Sequence, residues 1–357
     1  MHIFVEEIIF WYKYNGRSFL PWRLDKDPYK IWLSEIMLQQ THVTTVIPYF
    51  KKFLNRFPTI LQLSESSLDT ILYLWSGLGY YVRARNLYYT AKIVSEWYFG
   101  KFPSDFGIII TFPGIGRSTA GAILSIAFNK CYSILDANVK RILMRYFNIS
   151  AIFHVNKLEK ILWSLIEYLT PKNFVAEFNQ AIMDFGALVC TSRDPKCFFC
   201  PIRNSCLFYL RVYIGKLHVC NKSVKKVLLV RCVWFLVLQK KNLVWLEKRF
   251  MTKFWKELFC FPEFSSLKKL LFFLKNLGLM MHKFQCMRSV KYNISNFILK
   301  MNFVQLKLDS SVKIDMRNMN YGVWYNLQCP QSVGISSPIF RWLSKIYRET
   351  VSNVENV

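Results

Sequence analysis

Apolar positions recur at helical spacing over residues 3–14, and Asn15-Gly16 stops that run. A rigid, extended connector, Leu20-Pro21-Trp22-Arg23, leads into 28–40, a mostly apolar stretch around one acid, Glu35. Helical periodicity returns over 46–57, 68–74, 86–99, 118–128, 139–147, 157–169 and 178–188, with short breaks between. No strand pattern interrupts 28–188, so this part is expected to be all-α. The character changes after a loosely patterned, basic connector at 210–226. Residues 227–238 and 243–246 read as strands joined by a turn at Lys240-Lys241-Asn242, and 265–277 as a helix. Residues 293–308 read as strands again, and 338–348 as a closing helix. The pattern therefore predicts a multidomain chain: an all-α region over 1–209, a linker at 210–226, an α/β module over 227–350 and a tail at 351–357.

Composition says more about the partner than about the fold. With 357 residues and 53% apolar positions, the chain can bury two or three cores and is far from a disordered composition. A net charge of +26 favours a polyanion through counterion release. Lys, Phe, Ile, Tyr and Asn are abundant throughout, however, so charge supports nucleic acid without selecting it. The start carries Glu6 and Glu7 and no small-residue cleavage site, unlike a signal peptide. The longest apolar run, 227–238, is interrupted by Arg231 and is too short for a bilayer. A cytoplasmic protein without membrane contact is expected.

The ten cysteines are unevenly spread. Cys190, Cys197, Cys200 and Cys206 leave six, two and five residues between successive sulfurs. Compact spacing with an embedded Cys-x-x-Cys fits four thiolates on one metal centre better than a secreted disulfide framework. Zinc prefers paired knuckles, and only one such pair is present. The six remaining cysteines, at 131, 220, 232, 260, 286 and 329, read as small core residues.

Three further stretches carry chemistry. Phe112-Pro113-Gly114-Ile115-Gly116 sets two glycines one residue apart, a turn too tight for most other residues, ahead of a helix starting near Arg117. Backbone N–H groups freed at that helix start, beside an Arg, suit a phosphate. The stretch ends on Asp136, so one carboxylate stands a fixed distance from a phosphate-gripping turn. Glu35 is the second acid, and a charge inside an apolar helix is costly unless paired or used. Trp75-Ser76-Gly77-Leu78-Gly79-Tyr80-Tyr81, with Arg83 and Arg85 behind it, joins aromatics and cations on one turn, a combination suited to stacking on or wedging between bases.

The hairpin followed by Asp136 resembles the helix-hairpin-helix DNA glycosylase superfamily. Trp32-Leu33-Ser34-Glu35-Ile36-Met37-Leu38-Gln39-Gln40-Thr41 narrows this, being similar to the catalytic motif of MutY-type adenine DNA glycosylases. The six-two-five cysteine spacing matches the [4Fe–4S] loop of the same branch. The resemblance implies a six-helix module over about 24–132 and an iron–sulfur module from 1–23 and 133–209, with one [4Fe–4S] cluster on the four cysteines. It implies a Nudix-like C-terminal domain, matched locally at 255–264 and 323–334. The Nudix hydrolase signature is absent, so nucleotide hydrolysis is not expected. The implied protein is a monomer acting on double-stranded DNA with adenine opposite 8-oxoguanine or guanine. Glu35 would be the general acid, with a raised pKa. Asp136 would stay ionised, with Lys140 four residues on as its salt-bridge partner, and Asn138 would hold Asp136 or the attacking water. Gln39, Gln40, Gly114, Gly116, Arg117, Ser118 and Lys140 would meet DNA, and Tyr80 would wedge into the duplex. Ser118 stands where bifunctional relatives carry a nucleophilic Lys, which implies a monofunctional enzyme using water.

Two departures stand out. Ile294-Ser295-Asn296-Phe297 occupies the place of the family's Phe-Ser-His loop that reads 8-oxoguanine, keeping a hydroxyl at Ser295 but losing the wedge and the His. Ala137 follows Asp136 where Gly is usual, which would strain the site if that position needs positive φ. An active glycosylase, one with weakened 8-oxoguanine preference, and a degenerate, non-catalytic DNA-binding iron–sulfur protein all remain compatible with these residues.

Overall fold

The computed structural model describes residues 2–149, 154–211, 229–250, 254–279, 283–294, 297–309, 312 and 319–354. Its helices are α1 (Ile3–Asn15), α2 (Pro28–Leu38), α3 (Val43–Arg56), α4 (Ile60–Glu65), α5 (Leu68–Leu74), α6 (Val82–Tyr98), α7 (Phe106–Ile109), α8 (Arg117–Phe128), α9 (Ala137–Tyr146), α10 (Val155–Leu169), α11 (Val175–Leu188), α12 (Leu207–Tyr209), α13 (Leu267–Asn276) and α14 (Ser337–Val354). The strands are β1 (Leu229–Lys240), β2 (Leu243–Lys248), β3 (Phe259–Cys260), β4 (Glu263–Phe264), β5 (Phe284–Ile294), β6 (Phe297–Leu308) and β7 (Gly322–Asn326). The chain divides into two compact units: Met1–Glu65 with Asn86–Lys222, and Ser66–Arg85 with Ser223–Val357.

Among the described residues, the first unit is helical throughout. Helix α2 starts where Asp27 accepts from the Tyr29 N–H and Pro28 takes the first helical position, a combination that satisfies an orphan donor and pre-sets φ. It then buries Trp32, Leu33, Ile36 and Met37. Helix α8 is buried from Ala120 to Ile126 on nearly every side, so it forms the unit's central rod. Helices α2 and α11 both pack on it, and α1 and α9 pack on α11.

The second unit is built on a mixed sheet of order β3-β2-β1-β6-β5, with β4 also pairing β1 and β7 pairing β2. Strands β1 and β6 run parallel over twelve residue pairs, and the other pairings are antiparallel. Both faces of β1 are covered. Val233, Phe235 and Val237 face a core closed by Trp342, Leu343 and Ile346 of α14, while Leu236 and Leu238 face one closed by Leu270 and Leu274 of α13. Period-2 alternation between two buried faces explains why β1 reads as one apolar run.

Several expectations need correcting. Helices α4 and α7 were not foreseen, being too short for periodicity to register. Strand β5 begins at Phe284, nine residues ahead of the expected start at 293, because it is an exposed edge strand with no buried face to impose alternation. Of the cysteines read as core, only Cys260 is buried; Cys131, Cys232, Cys286 and Cys329 are exposed, and Cys220 lies outside the described residues. Most of the linker at 210–226 also lies outside them, as does Ser295.

Candidate active site

Glu35 and Asp136 line one cavity of about 560 Å³ in the first unit, together with Arg23, Asn138, Arg141 and Gln180. Residues one hundred positions apart meet there because α2 and α9 each pack on neighbours of the α8–α11 core. Asp136 is the N-cap of α9. Its Oδ1 accepts from the Val139 N–H at 2.7 Å, and its Oδ2 from Asn138 Nδ2 at 3.1 Å. Asn138 is fixed in turn, since its Oδ1 accepts from the Arg141 guanidinium at 2.8 Å. Arg141 also donates to the carbonyls of Gly186 at 2.7 Å and Cys190 at 2.8 Å. Gly186 has no room for a side chain: a Cβ there would stand 2.6 Å from that of Asn138.

The two carboxyl groups differ in their surroundings. Burial first, then repulsion from Asp136, pushes Glu35 up to about 7 against the pull of Arg23. Burial also raises Asp136, but Val139 and Asn138 hydrogen bonds and the charge of Arg141 oppose it. Two acids sharing a buried site cannot both ionise freely, and donors aimed at one of them decide which keeps the proton. Glu35 is therefore the carboxyl whose neutral form its surroundings favour, while the hydrogen-bond donors are aimed at Asp136. Lys140 is not the partner of Asp136: its Nζ stands 2.8 Å from Glu159 on α10, because the Asp136 carboxylate turns back over the helix start while Lys140 points outward. Ala137 opens α9 and is not among the residues with positive φ, so the expected strain is absent.

A polar group behind the cavity wall escaped the sequence reading: Arg17 and Arg23, which line the cavity, both pair with Asp184. Asp184 of α11, fully buried, receives Arg23 at 2.7 and 3.0 Å and Arg17 at 2.6 and 2.9 Å. Burial alone would raise its carboxyl, but the two guanidinium groups hold it below the usual range. The signal was available: Asp184 is an acid inside an apolar helix, as Glu35 is.

The hairpin lies between α7 and α8. Gly114 has φ +80°, and a Cβ there would meet the Asn86 side chain at 2.9 Å. Gly116 has φ −93° as the N-cap of α8, with open space where a Cβ would sit. Left-handed backbone thus explains only the first glycine, and the second leaves a bare approach to the helix start. Gln39 donates to the Gly114 carbonyl and to Thr119 Oγ1, each at 3.4 Å, whereas Gln40 is exposed. Arg117 pairs with Glu167 and stands 4.0 Å over the Trp163 ring. Ser118 faces inward, its hydroxyl accepting from the Leu135 N–H at 3.0 Å, one residue before Asp136.

Cys190, Cys197, Cys200 and Cys206 line one small cavity beside α9. Burial, and behind it the repulsion of the other three sulfurs, pushes Cys200 up to about 12. Arg145 stands 3.4 Å from the Cys190 sulfur and donates to the Thr191 and Ser192 carbonyls. Among the described residues no trio of His, Cys, Asp or Glu is drawn tight enough to hold a single metal ion.

Tyr80 belongs to the second unit. It has φ +48°, an outlier for an aromatic residue, and is exposed. Its turn is held by Trp75 Nε1 on the Gly79 carbonyl at 3.0 Å and by buried Arg83, which lies 5.3 Å from the Trp75 ring and 5.6 Å from the Tyr80 ring.

Residues 33–168 match the family model of the HhH-GPD superfamily base excision DNA repair proteins. An adenine DNA glycosylase of Buchnera aphidicola subsp. Baizongia pistaciae is 45% identical over 345 residues, covering 96% of this chain and 97% of its own. The chain belongs to the adenine DNA glycosylase family. A second such enzyme, from Buchnera aphidicola subsp. Acyrthosiphon pisum, is 45% identical over 338 residues. The helical region resembles the solved structure of a thermostable thymine-DNA glycosylase at 32% identity and a TM-score of 0.54, covering 58% of this chain and 96% of that one. The chain is thus a base-excision-repair glycosylase with a helix-hairpin-helix core and a C-terminal mixed-sheet unit. Among the described residues, no helix is long and apolar enough to cross a membrane.

Proposed function

We propose that the protein hydrolyses the N-glycosidic bond of adenine mispaired with 8-oxoguanine or guanine, using water as the nucleophile. The observation that carries this is the meeting of two carboxyl groups in one cavity, Glu35 with its pKa raised by burial and Asp136 with two donors aimed at it. Cleavage needs a proton on the departing purine and stabilisation of a cationic sugar, and these two groups supply one each. The adenine must leave the stack to reach them, and the 560 Å³ cavity has room for a purine. Asn138, fixed by Arg141, holds Asp136 in place. The inward-facing Ser118 supports a monofunctional reaction, because no amine stands there to attack the sugar.

The four cysteines fit one [4Fe–4S] cluster: all line one cavity, and their mutual repulsion asks for a cation among them. When bound, the cluster supplies a rigid, positively framed loop, and Arg145 braces that loop from α9. The C-terminal unit is read as a Nudix-like lesion-reading domain, with two helix layers on a mixed sheet in its support. Tyr80 is the duplex wedge, pre-set by the strained turn and the Arg83 stack. The loss of the Phe-Ser-His triplet at 294–296 favours weakened 8-oxoguanine preference with chemistry retained.

Single-turnover excision on duplexes carrying adenine opposite 8-oxoguanine, guanine or thymine tests the reading, with Glu35→Gln as control. Excision of adenine by the native protein and none by the variant is expected. No excision from any duplex would leave a DNA-binding protein without catalysis.

A further inference from the structure

A second cleft, of about 490 Å³, lies in the C-terminal unit between β5 and the first turns of α14. Arg288 and Lys291 line it from the strand, Arg341 and Lys345 from the helix, and Tyr292 and Trp342 supply aromatic surface. All four cations are exposed. No carboxylate is among the described residues that line the cleft. Lys345 pairs with Glu349, one turn further along the helix, at 3.7 Å.

The cations are gathered by construction. Arg288 and Lys291 are three residues apart, a spacing that a regular strand sends to opposite faces. A β-bulge lies between them: Met287 pairs with Phe303 and Val290 with Met301, so Arg288 and Ser289 together oppose Asn302. The irregularity resets the alternation and lets both charges serve one cleft. On α14, positions 341 and 345 are one turn apart on one face. Trp342 between them is anchored in the core, its ring 4.2 Å from Phe303.

The cleft adjoins the turn that carries Tyr80. Tyr81 donates to the Ile335 carbonyl at 3.0 Å, two residues before α14 begins. Pro338, the second residue of that helix, lines the cleft.

We propose that this cleft holds the phosphodiester backbone of the DNA duplex beside the Tyr80 turn, four cations taking consecutive phosphates. The assignment rests on the glycosylase reading above. Charge complementarity and continuity with the Tyr80 turn select a DNA strand over a neutral or acidic partner.

The test is the salt dependence of duplex binding by the full chain in the Glu35→Gln background, which leaves the substrate uncut. Replacing Arg288, Lys291, Arg341 and Lys345 together by Gln should weaken binding at least ~10-fold at about 50 mM salt. It should also reduce the slope of log K against log salt by about 2–4, since each phosphate contact is worth about 0.9. The pairs Arg288→Gln/Lys291→Gln and Arg341→Gln/Lys345→Gln should each account for about half. The circular dichroism and thermal melt of the fourfold variant should match those of the native protein, which reports an intact fold. An unchanged slope would overturn the assignment. So would competition of the labelled duplex by dGMP or inorganic phosphate at micromolar concentration, which would make the cleft a free-phosphate site. If the native protein bound duplexes with this slope but excised nothing, the catalytic reading would fail while the cleft stood.

Discussion

Asn138 donates to the Asp136 carboxylate at 3.1 Å while accepting from Arg141 at 2.8 Å. The amide thereby has one orientation only, and the Asp136 carboxylate inherits it. Arg141 in turn is held by the Cys190 carbonyl, so the cysteine loop and the active site share one arginine. Arg141→Ala should slow excision by roughly 100-fold through a misplaced Asp136, and Arg141→Lys should recover little, because a compact ammonium lacks the planar fork that reaches Asn138, Gly186 and Cys190 together. Single-turnover rates at saturating enzyme measure this; a change confined to substrate affinity would contradict it.

The Glu35 proton sets a pH profile. A carboxyl held near 7 is protonated below that value, so the single-turnover rate should fall as pH rises through about 7. Glu35→Gln should remove the titration and cost about 10²–10⁴-fold in rate. Stability follows the same sign. Between about 4.5 and 7 the folded state binds the proton that the unfolded state releases, so Glu35 stabilises at low pH and loses that contribution as pH rises. Above pH 7, Glu35→Gln should be the more stable protein, by about 1–3 kcal/mol. Chemical denaturation at pH 5 and pH 8 checks the crossover.

Ser118 carries a structural burden as well as a chemical absence. Its hydroxyl satisfies the Leu135 N–H on the segment that delivers Asp136. Ser118→Ala should cost about 1–3 kcal/mol by leaving a buried donor unpaired. Borohydride should trap no adduct between the native protein and abasic-site DNA. A strong adduct would mean that another amine reaches the sugar.

The two hairpin glycines should separate under substitution. Gly114→Ala must adopt φ +80° against Asn86, and should lose about 1–3 kcal/mol of stability. Gly116→Ala meets nothing in the protein and should fold normally, losing duplex affinity as its methyl group blocks the backbone approach. Thermal melts and binding isotherms on the pair separate the two roles.

Cluster assembly is tested at Cys200, whose thiol is pushed up by burial and by the neighbouring sulfurs. Cys200→Ser should purify with little iron and sulfide and with a lowered melting temperature. Equal iron in the variant and native proteins would remove Cys200 from the ligand set.

The amino-acid sequence by itself determined what local pattern can determine. An all-α region followed by strands, the hairpin, the cysteine loop and the acid inside an apolar helix are written in spacings of fewer than twenty residues, because periodicity and turn chemistry are short-range. What lay outside that range was decided by packing. Only α8 and α11 bring Glu35 and Asp136 to one cavity, and only the cap geometry of Asp136 shows that its partners are Val139 and Asn138 rather than Lys140. Asp184 with its two arginines joins residues over 160 positions apart, beyond any pattern. The bulge in β5 cannot be read from residues that alternate with no buried face, and it exists only as a register against β6. Local chemistry named the two acids; the tertiary structure gave them one cavity and different surroundings.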